Sequence, residues 1–144
     1  MSYEAKRVMS GTWGQVILDG DVLVEATGFQ AKFTFNKTDI NIGGQMEVDS
    51  KVTSVKGTGS ITANHINSRM LLLLGDKIGT GRDVRFTIMG KLDDPDAFGA
   101  ERVSLTSVSF DDLTIADWTH GQPGTKTYPF TFTKMKLLDT VAPV

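Results

Sequence analysis

The sequence predicts a mainly β fold: a β-barrel or β-sandwich of short strands with one flanking α-helix and one long extended loop. Three observations carry this expectation. Several runs alternate apolar and polar residues, as in GFQAKFTF over 28–35 and VRFTIMGKL over 84–92, which is the period of a half-buried strand. Clusters of glycine, aspartate and asparagine separate those runs, as turns require. Only one stretch, 67–78, has apolar residues at helical spacing.

From the N-terminus, an apolar run from Thr12 to Leu18 meets Asp19-Gly20-Asp21 and then Val22-Leu23-Val24. Asp-Gly between such runs predicts a hairpin, because the tight turn needs residues that tolerate positive φ. In 28–35, Phe29, Ala31, Phe33 and Phe35 share one face, and Gln30, Lys32 and Thr34 share the other. Residues 39–42 alternate again, with Ile40 and Ile42 in phase. The next stretch, NIGGQMEVDSKVTSVKGTGS over 41–60, has almost no large apolar residue to anchor it. It reads as a long loop over 41–57. A structureless connection of that length is uncommon unless it is functional or disordered. A return strand over 57–64 follows, with glycines where another backbone can approach.

Asn67 or Ser68 can cap the helix of 67–78 by accepting a backbone N–H. Leu71, Leu74 and Ile78 form its apolar stripe, and Gly79 can end it in the left-handed conformation. Gly75 weakens it by about 1 kcal/mol relative to alanine. The strand over 84–92 puts Val84, Phe86 and Ile88 on one face, and Asp93-Asp94-Pro95-Asp96 turns the chain. In RVSLTSVSF, Val103 and Leu105 are in phase, then Val108 and Phe110; the slip predicts a bulge near Thr106-Ser107. Asp111-Asp112 turns the chain into Leu113–Trp118, and 120–124 is a loop. The final strand runs over 127–137, with Pro129 at an edge or bulge. An N-terminal arm (1–11) and a C-terminal tail (138–144) are expected to be loose.

The chain's 144 residues fit one domain over 1–144. A domain of this size buries roughly 70% of its unfolded surface, enough for an ordinary core. A formal net charge of −2 gives no sign of a basic nucleic-acid-binding protein. The absence of cysteine excludes disulfides, thiolate catalysis and zinc–thiolate sites, and suits a reducing compartment. The N-terminal stretch lacks an apolar segment of signal-peptide length, and Met70–Leu74 is far short of a membrane span. Assembly in the cytoplasm of the producing cell is therefore expected.

Catalytic signatures are missing. His65 and His120 are the only histidines, and neither has a second histidine at metal-ligand spacing. HExxH and GxSxG are absent. Lys56-Gly57-Thr58-Gly59-Ser60 and Gly79-Thr80-Gly81-Arg82 lack the spacing of a phosphate-binding loop and read as turn and close-approach glycines. Asp93, Asp94 and Asp96 lack the glycine and distal glutamate of a calcium loop. Asp111-Asp112 is the one close carboxylate pair after that turn, and a turn explains it better than glycoside hydrolysis. Trp13 and Trp118 read as core or interface aromatics. The residues thus point to no catalytic, metal or cofactor site.

A resemblance runs through the chain in order. Gly11-x-x-Gly14 and Leu18-Asp19-Gly20 come first, then NKTDINIGG over 36–44 and Gly57-Thr58-Gly59. Leu92-Asp93-Asp94, Glu101-Arg102-Val103 and Pro129-Phe130-Thr131-Phe132 follow. Each piece is short, and it is the ordered set that resembles the tail-tube proteins of contractile-tailed phages. The type is that of defective prophages and phage-tail-like bacteriocins, similar in fold to type VI secretion tube proteins. The resemblance implies a non-enzymatic, self-assembling virion subunit without cofactors. Hexameric rings of it would stack into a hollow tube conducting DNA or ions through a pierced envelope. Partners would be further copies of the chain, sheath protein, tape-measure and baseplate proteins, with DNA passing the lumen without specific binding.

Under that resemblance the 41–57 loop becomes an inter-subunit loop, with Asn41, Gly43, Gly44, Gln45, Met46, Glu47, Asp49, Lys51 and Lys56 as interface residues. The flanking strands become the lumen hairpin, with Gln30, Lys32, Thr34, Thr58, Ser60 and Thr62 facing the bore. A lumen that passes DNA should carry few fixed positive charges, and Lys32 is the exception in that set. Two other readings compete. A monomeric β-sandwich ligand-binding module predicts a concave apolar pocket, and a small carboxylate hydrolase predicts loss of activity on replacing one aspartate.

Overall fold

The computed structural model describes residues 4–75, 80–97 and 99–141. Among the described residues eight strands form one antiparallel sheet: β1 (Gly14–Leu18), β2 (Asp21–Val22), β3 (Ala26–Asn41), β4 (Val48–Asn64), β5 (Phe86–Leu92), β6 (Glu101–Phe110), β7 (Thr125–Phe132) and β8 (Lys134–Asp139). Their spatial order is β2-β1-β5-β6-β7-β4-β3, with β8 lying beside β6. The path ends at β2 and β3, so the sheet is open and not a closed barrel. The strand expected over 127–137 breaks at Thr133 into β7 and β8. β7 pairs with β4 along its length, whereas β8 crosses to residues 102–106 of β6.

The local turn chemistry behaves as the residue types require. Asp19 (φ 48°) and Gly20 (φ 90°) form the two-residue turn between β1 and β2, both in the left-handed region. The Asp19 carboxylate also accepts the Thr87 N–H at 2.8 Å, tying that turn to β5. The bulge in β6 falls where the phase slips. Three steps on β6, from Val108 to Leu105, face two on β5, from Phe86 to Ile88, and Ser107 takes φ 56°. Pro129 pairs with Ser60 of β4 and turns its carbonyl to Asp111 N–H at 2.9 Å, so its missing donor faces β6 just where that ladder ends.

The helix α1 is Arg69–Gly75. The Asn67 side chain accepts the Arg69 N–H at 3.1 Å, as expected of a cap. Its inward side is Met70, Leu73 and Leu74 rather than Leu71 and Leu74, one position out of the expected phase. The expected stripe residue Ile78 and stop Gly79 lie outside the described residues. A helix this short is marginal alone and is held by packing.

Phe130, Ile61, Ile88, Leu105 and Val108 are the largest fully buried side chains, drawn from β4, β5, β6 and β7. Burying each contributes about 1.5–3 kcal/mol. Phe29 stacks on Phe130 (centroids 6.1 Å apart) and Phe33 tilts against Phe132 (5.1 Å), fastening the first half of β3 over β7. The termini are tied more firmly than their composition implies. Arg7 Nη1 donates to the Asp96 carbonyl at 2.9 Å, and the buried Asp94 carboxylate accepts the Ser10 and Asp96 N–H groups at 2.8 and 2.9 Å. At the other end β8 reaches Asp139, 3.1 Å from Arg102 Nε. Residues 111–124 form no regular element, and Trp118 and Trp13 are exposed rather than core.

Candidate functional site

The long loop expected over 41–57 is mostly strand. Only residues 42–47 turn, with Gly44 at φ 86°, and β4 begins at Val48. The physical reason is backbone pairing. Asn41 faces Val48, Ile40 faces Asp49, Thr38 faces Lys51, and the ladder continues to Ala26 opposite Ala63. Cross-strand polar contacts support it: Asn36 Nδ2 donates to Ser54 Oγ at 2.8 Å, and Thr53 Oγ1 donates to the Asn36 carbonyl at 3.1 Å. Val48, Val52, Thr53 and Val55 are β-branched and suit an extended chain. Of the nine expected loop residues, Gly43, Gly44, Gln45, Met46 and Glu47 lie in the turn. Asn41 ends β3, and Asp49, Lys51 and Lys56 are within β4.

The hairpin has a rooted half and a free half. β4 pairs with β7 only from Gly57 to Asn64. Residues 48–56 pair with β3 alone and project roughly 30 Å at about 3.3 Å per residue. Every residue from 34 to 56 is exposed. Among the described residues, no strand covers the outer edge of β3 or the matching edge of β4 beyond Gly57. Bare edges of such length invite pairing with another chain.

Register sorts the side chains into two faces. Gln30 faces Ser60, Lys32 faces Thr58, Thr34 faces Lys56 and Gly28 faces Thr62. The six residues expected to act together, Gln30, Lys32, Thr34, Thr58, Ser60 and Thr62, therefore share one polar face. Lys56 and Lys51, the latter opposite Thr38, join them there. That face thus carries three lysines instead of the single exception expected.

The opposite face was legible as far as Phe35, but its continuation along β4 was not. It continues the core side outward through Phe35, directly opposite Val55, then Val52 and Val48. Phe35 is 58% exposed and Val55 49%, so apolar side chains run from the core into solvent on this face, with Lys37 and Asp39 interspersed beyond Phe35. The signal was present in the spacing of the valines, but Thr53 is an extra residue in β4 and breaks their alternation.

Elsewhere the geometry offers little chemistry. Among the described residues no group of three histidine, cysteine or acidic side chains could hold a metal. His120 stands edge-on to Trp118, and His65 N–H donates to the Gly124 carbonyl at 2.8 Å. The cavity beside Glu25 and Tyr128 measures about 20 Å³, room for one water and far below a ligand pocket. Burial, reinforced by the Glu25 charge, pushes the Tyr128 hydroxyl above its ordinary pKa.

Residues 1–139 match the family described as phage tail tube protein. The chain belongs to that family. It is accordingly a structural tail protein and not an enzyme. Phage-like element PBSX protein XkdM of Bacillus subtilis (strain 168) is 36% identical over 117 residues, covering 81% of this chain and 80% of XkdM. Two solved assemblies share the tail tube protein's fold at low identity. The sheath–tube complex of the extracellular contractile injection system PVC, in its extended state, gives a TM-score of 0.71 at 7% identity over 96% of this chain and all (100%) of that one. The six-fold symmetrised baseplate of the anti-feeding prophage gives 0.63 at 12%, over 87% of this chain and 90% of that one.

Proposed function

We propose that this tail tube protein is the repeating subunit of the tube itself: six copies close into a ring, and rings stack into a hollow tube. The β3–β4 hairpin carries this reading. A projecting two-stranded ribbon with bare edges and an uncovered apolar strip is poorly stable alone, since isolated hairpins are marginal in water. Neighbouring copies would pair edge to edge and cover the strip, joining their hairpins into a continuous β-lined wall. The residues of 41–56 would make the contacts between subunits, and the face with Gln30, Lys32 and Thr34 would line the bore. A head-to-tail contact of this kind closes a ring when its rotation divides a full turn. The six-fold anti-feeding prophage assembly, which shares the fold, supports six copies.

In this reading the mechanism is geometric. Ring closure sets the bore and stacking sets stiffness. Sheath protein surrounds the tube, as the PVC sheath–tube complex supports. Baseplate and tape-measure proteins start and measure it, in the cytoplasm of the producing bacterium. The finished tail tube conducts DNA or ions through the pierced envelope. Negative-stain electron microscopy of the concentrated protein, with sizing chromatography, tests the proposal. Rings or hollow tubes of uniform bore are expected. A strict monomer at every concentration, unchanged by added baseplate or tube seeds, would overturn it.

A further inference from the structure

We propose that the cavity at the root of the β3–β4 hairpin is a binding site for a single water molecule, which bridges Glu25 and Tyr128 and fastens helix α1 to the sheet. Glu25 immediately precedes β3, and its side chain is only 7% exposed. Among the described residues its enclosed Oε2 has no hydrogen-bond partner. A buried carboxylate oxygen without a donor is costly, so a donor must reach it. Arg69 does not supply one. Its Nε stands 4.0 Å from Glu25 Oε1, beyond hydrogen-bond reach, and its Nη1 donates to the Val22 carbonyl at 3.0 Å.

The cavity suits water in size and in chemistry. Its volume of about 20 Å³ exceeds what one water needs, roughly 10–15 Å³. Glu25, Asn64, Asn67 and Tyr128 all line it, which meets the requirement for two or more polar partners. The Glu25 charge helps to raise the pKa of the Tyr128 hydroxyl, so the two groups are within electrostatic reach. Asn67 Oδ1 already accepts the Arg69 N–H at 3.1 Å, which leaves its amide as a donor. A water can donate to Glu25 Oε2 and accept from Tyr128 or Asn67 at once. A metal ion has no use for those donors, and among the described residues no three acidic or histidine groups gather to hold one. The bridge joins the start of β3, Tyr128 in β7 and the cap of α1, while Met70 of α1 closes the same cavity. A helix of seven residues is marginal alone, so this anchor adds to its packing. The inference does not depend on ring assembly, so a monomer can test it.

The experiment is a crystal structure of the full chain at a resolution that shows ordered water, paired with NMR cross-relaxation between water and protein in solution. One peak is expected about 2.5–3.0 Å from both Glu25 Oε2 and the Tyr128 hydroxyl oxygen. The Met70 methyl, which lines the cavity, should show a cross-peak to a long-lived water. Glu25→Gln keeps an acceptor oxygen and should retain both signals. The variant E25L/Y128F should lose both, because an apolar cavity stays dry. The parent measurements decide even where that double variant does not fold. An Arg69 guanidinium bonded directly to Glu25 Oε2 would overturn the proposal, as would a peak ringed by oxygens at the about 2.3–2.6 Å of a metal ion. Neither peak nor cross-peak in the parent, or signals that persist in E25L/Y128F, would overturn it equally.

Discussion

Phe130 stands over Gly59. The two face each other across β7 and β4, and a β-carbon built on Gly59 would lie 2.6 Å from Phe130 Cζ and against the Gln30 carbonyl oxygen. Phe132 covers Gly57 in the same way, at 2.7 Å. The glycines of the Gly-Thr-Gly run thus make room both for aromatic rings and for a neighbouring backbone, the Gln30 carbonyl at Gly59 and the Phe132 carbonyl at Gly57. Gly59→Ala should destabilise by about 1–3 kcal/mol, because the Gln30 carbonyl cannot swing aside as a side chain can. Gly43→Ala, with nothing within 4 Å, should stay within about 0.5 kcal/mol. Urea unfolding midpoints of the two variants check the contrast.

Ser107 sits at the β6 bulge with φ 56°, and its carbonyl accepts from Arg85 Nη1 at 3.3 Å. The left-handed region costs an ordinary residue about 1–2 kcal/mol, while asparagine and glycine enter it readily. Ser107→Asn or Ser107→Gly should leave stability equal or raise it. Ser107→Val, branched at the β-carbon, should lower it by about 1 kcal/mol or more. Thermal unfolding of the three variants gives the order.

The contrast between two bulges shows what the sequence carries. At Ser107 the flanking residues Leu105 and Val108 are fully buried, so their phase slip stands out in the sequence. At Thr53 the flanking Val52 and Val55 are both exposed, and polar residues occupy both faces of the ribbon. A strand with no core to face shows no strong alternation, so 48–56 reads as loop. The six polar positions were legible because Phe29, Ala31 and Phe33 fix the opposite face against the core. The helix phase was misread by one position because the Met70–Leu74 run is apolar all round.

Tyr128 predicts an alkaline limit. Its neutral form is favoured in the folded state, first by burial and then by the Glu25 charge. With the folded pKa raised above the unfolded value of about 10, its contribution is fully present below pH 10 and is lost as pH rises through the folded pKa. Stability should therefore fall above about pH 10 more steeply in the parent than in Tyr128→Phe. Urea midpoints of both proteins from pH 8 upward, taken as a difference, remove the common titration of lysines.

Truncating the free half of the hairpin separates folding from assembly, provided the cut respects register. Deleting 45–55 alone would strip residues 35–41 of their partners and leave a long unpaired strand. Removing 38–51 instead keeps Lys37 opposite Val52, and Asn-Gly can close that pair with a two-residue turn. The core lies in the rooted half, where β4 pairs with β7, so the shortened chain should keep a cooperative unfolding transition. It should form no rings or tubes. A milder variant, Phe35→Ser with Val55→Ser, leaves the edges intact and removes only the apolar strip. Because both side chains are about half exposed or more, the monomer should lose no more than about 1 kcal/mol each. Assembly, followed by light scattering against concentration, should need at least about tenfold more protein, since a tenfold shift corresponds to only about 1.4 kcal/mol of lost contact. Tubes from the truncated chain would show that neighbouring subunits pair through another surface.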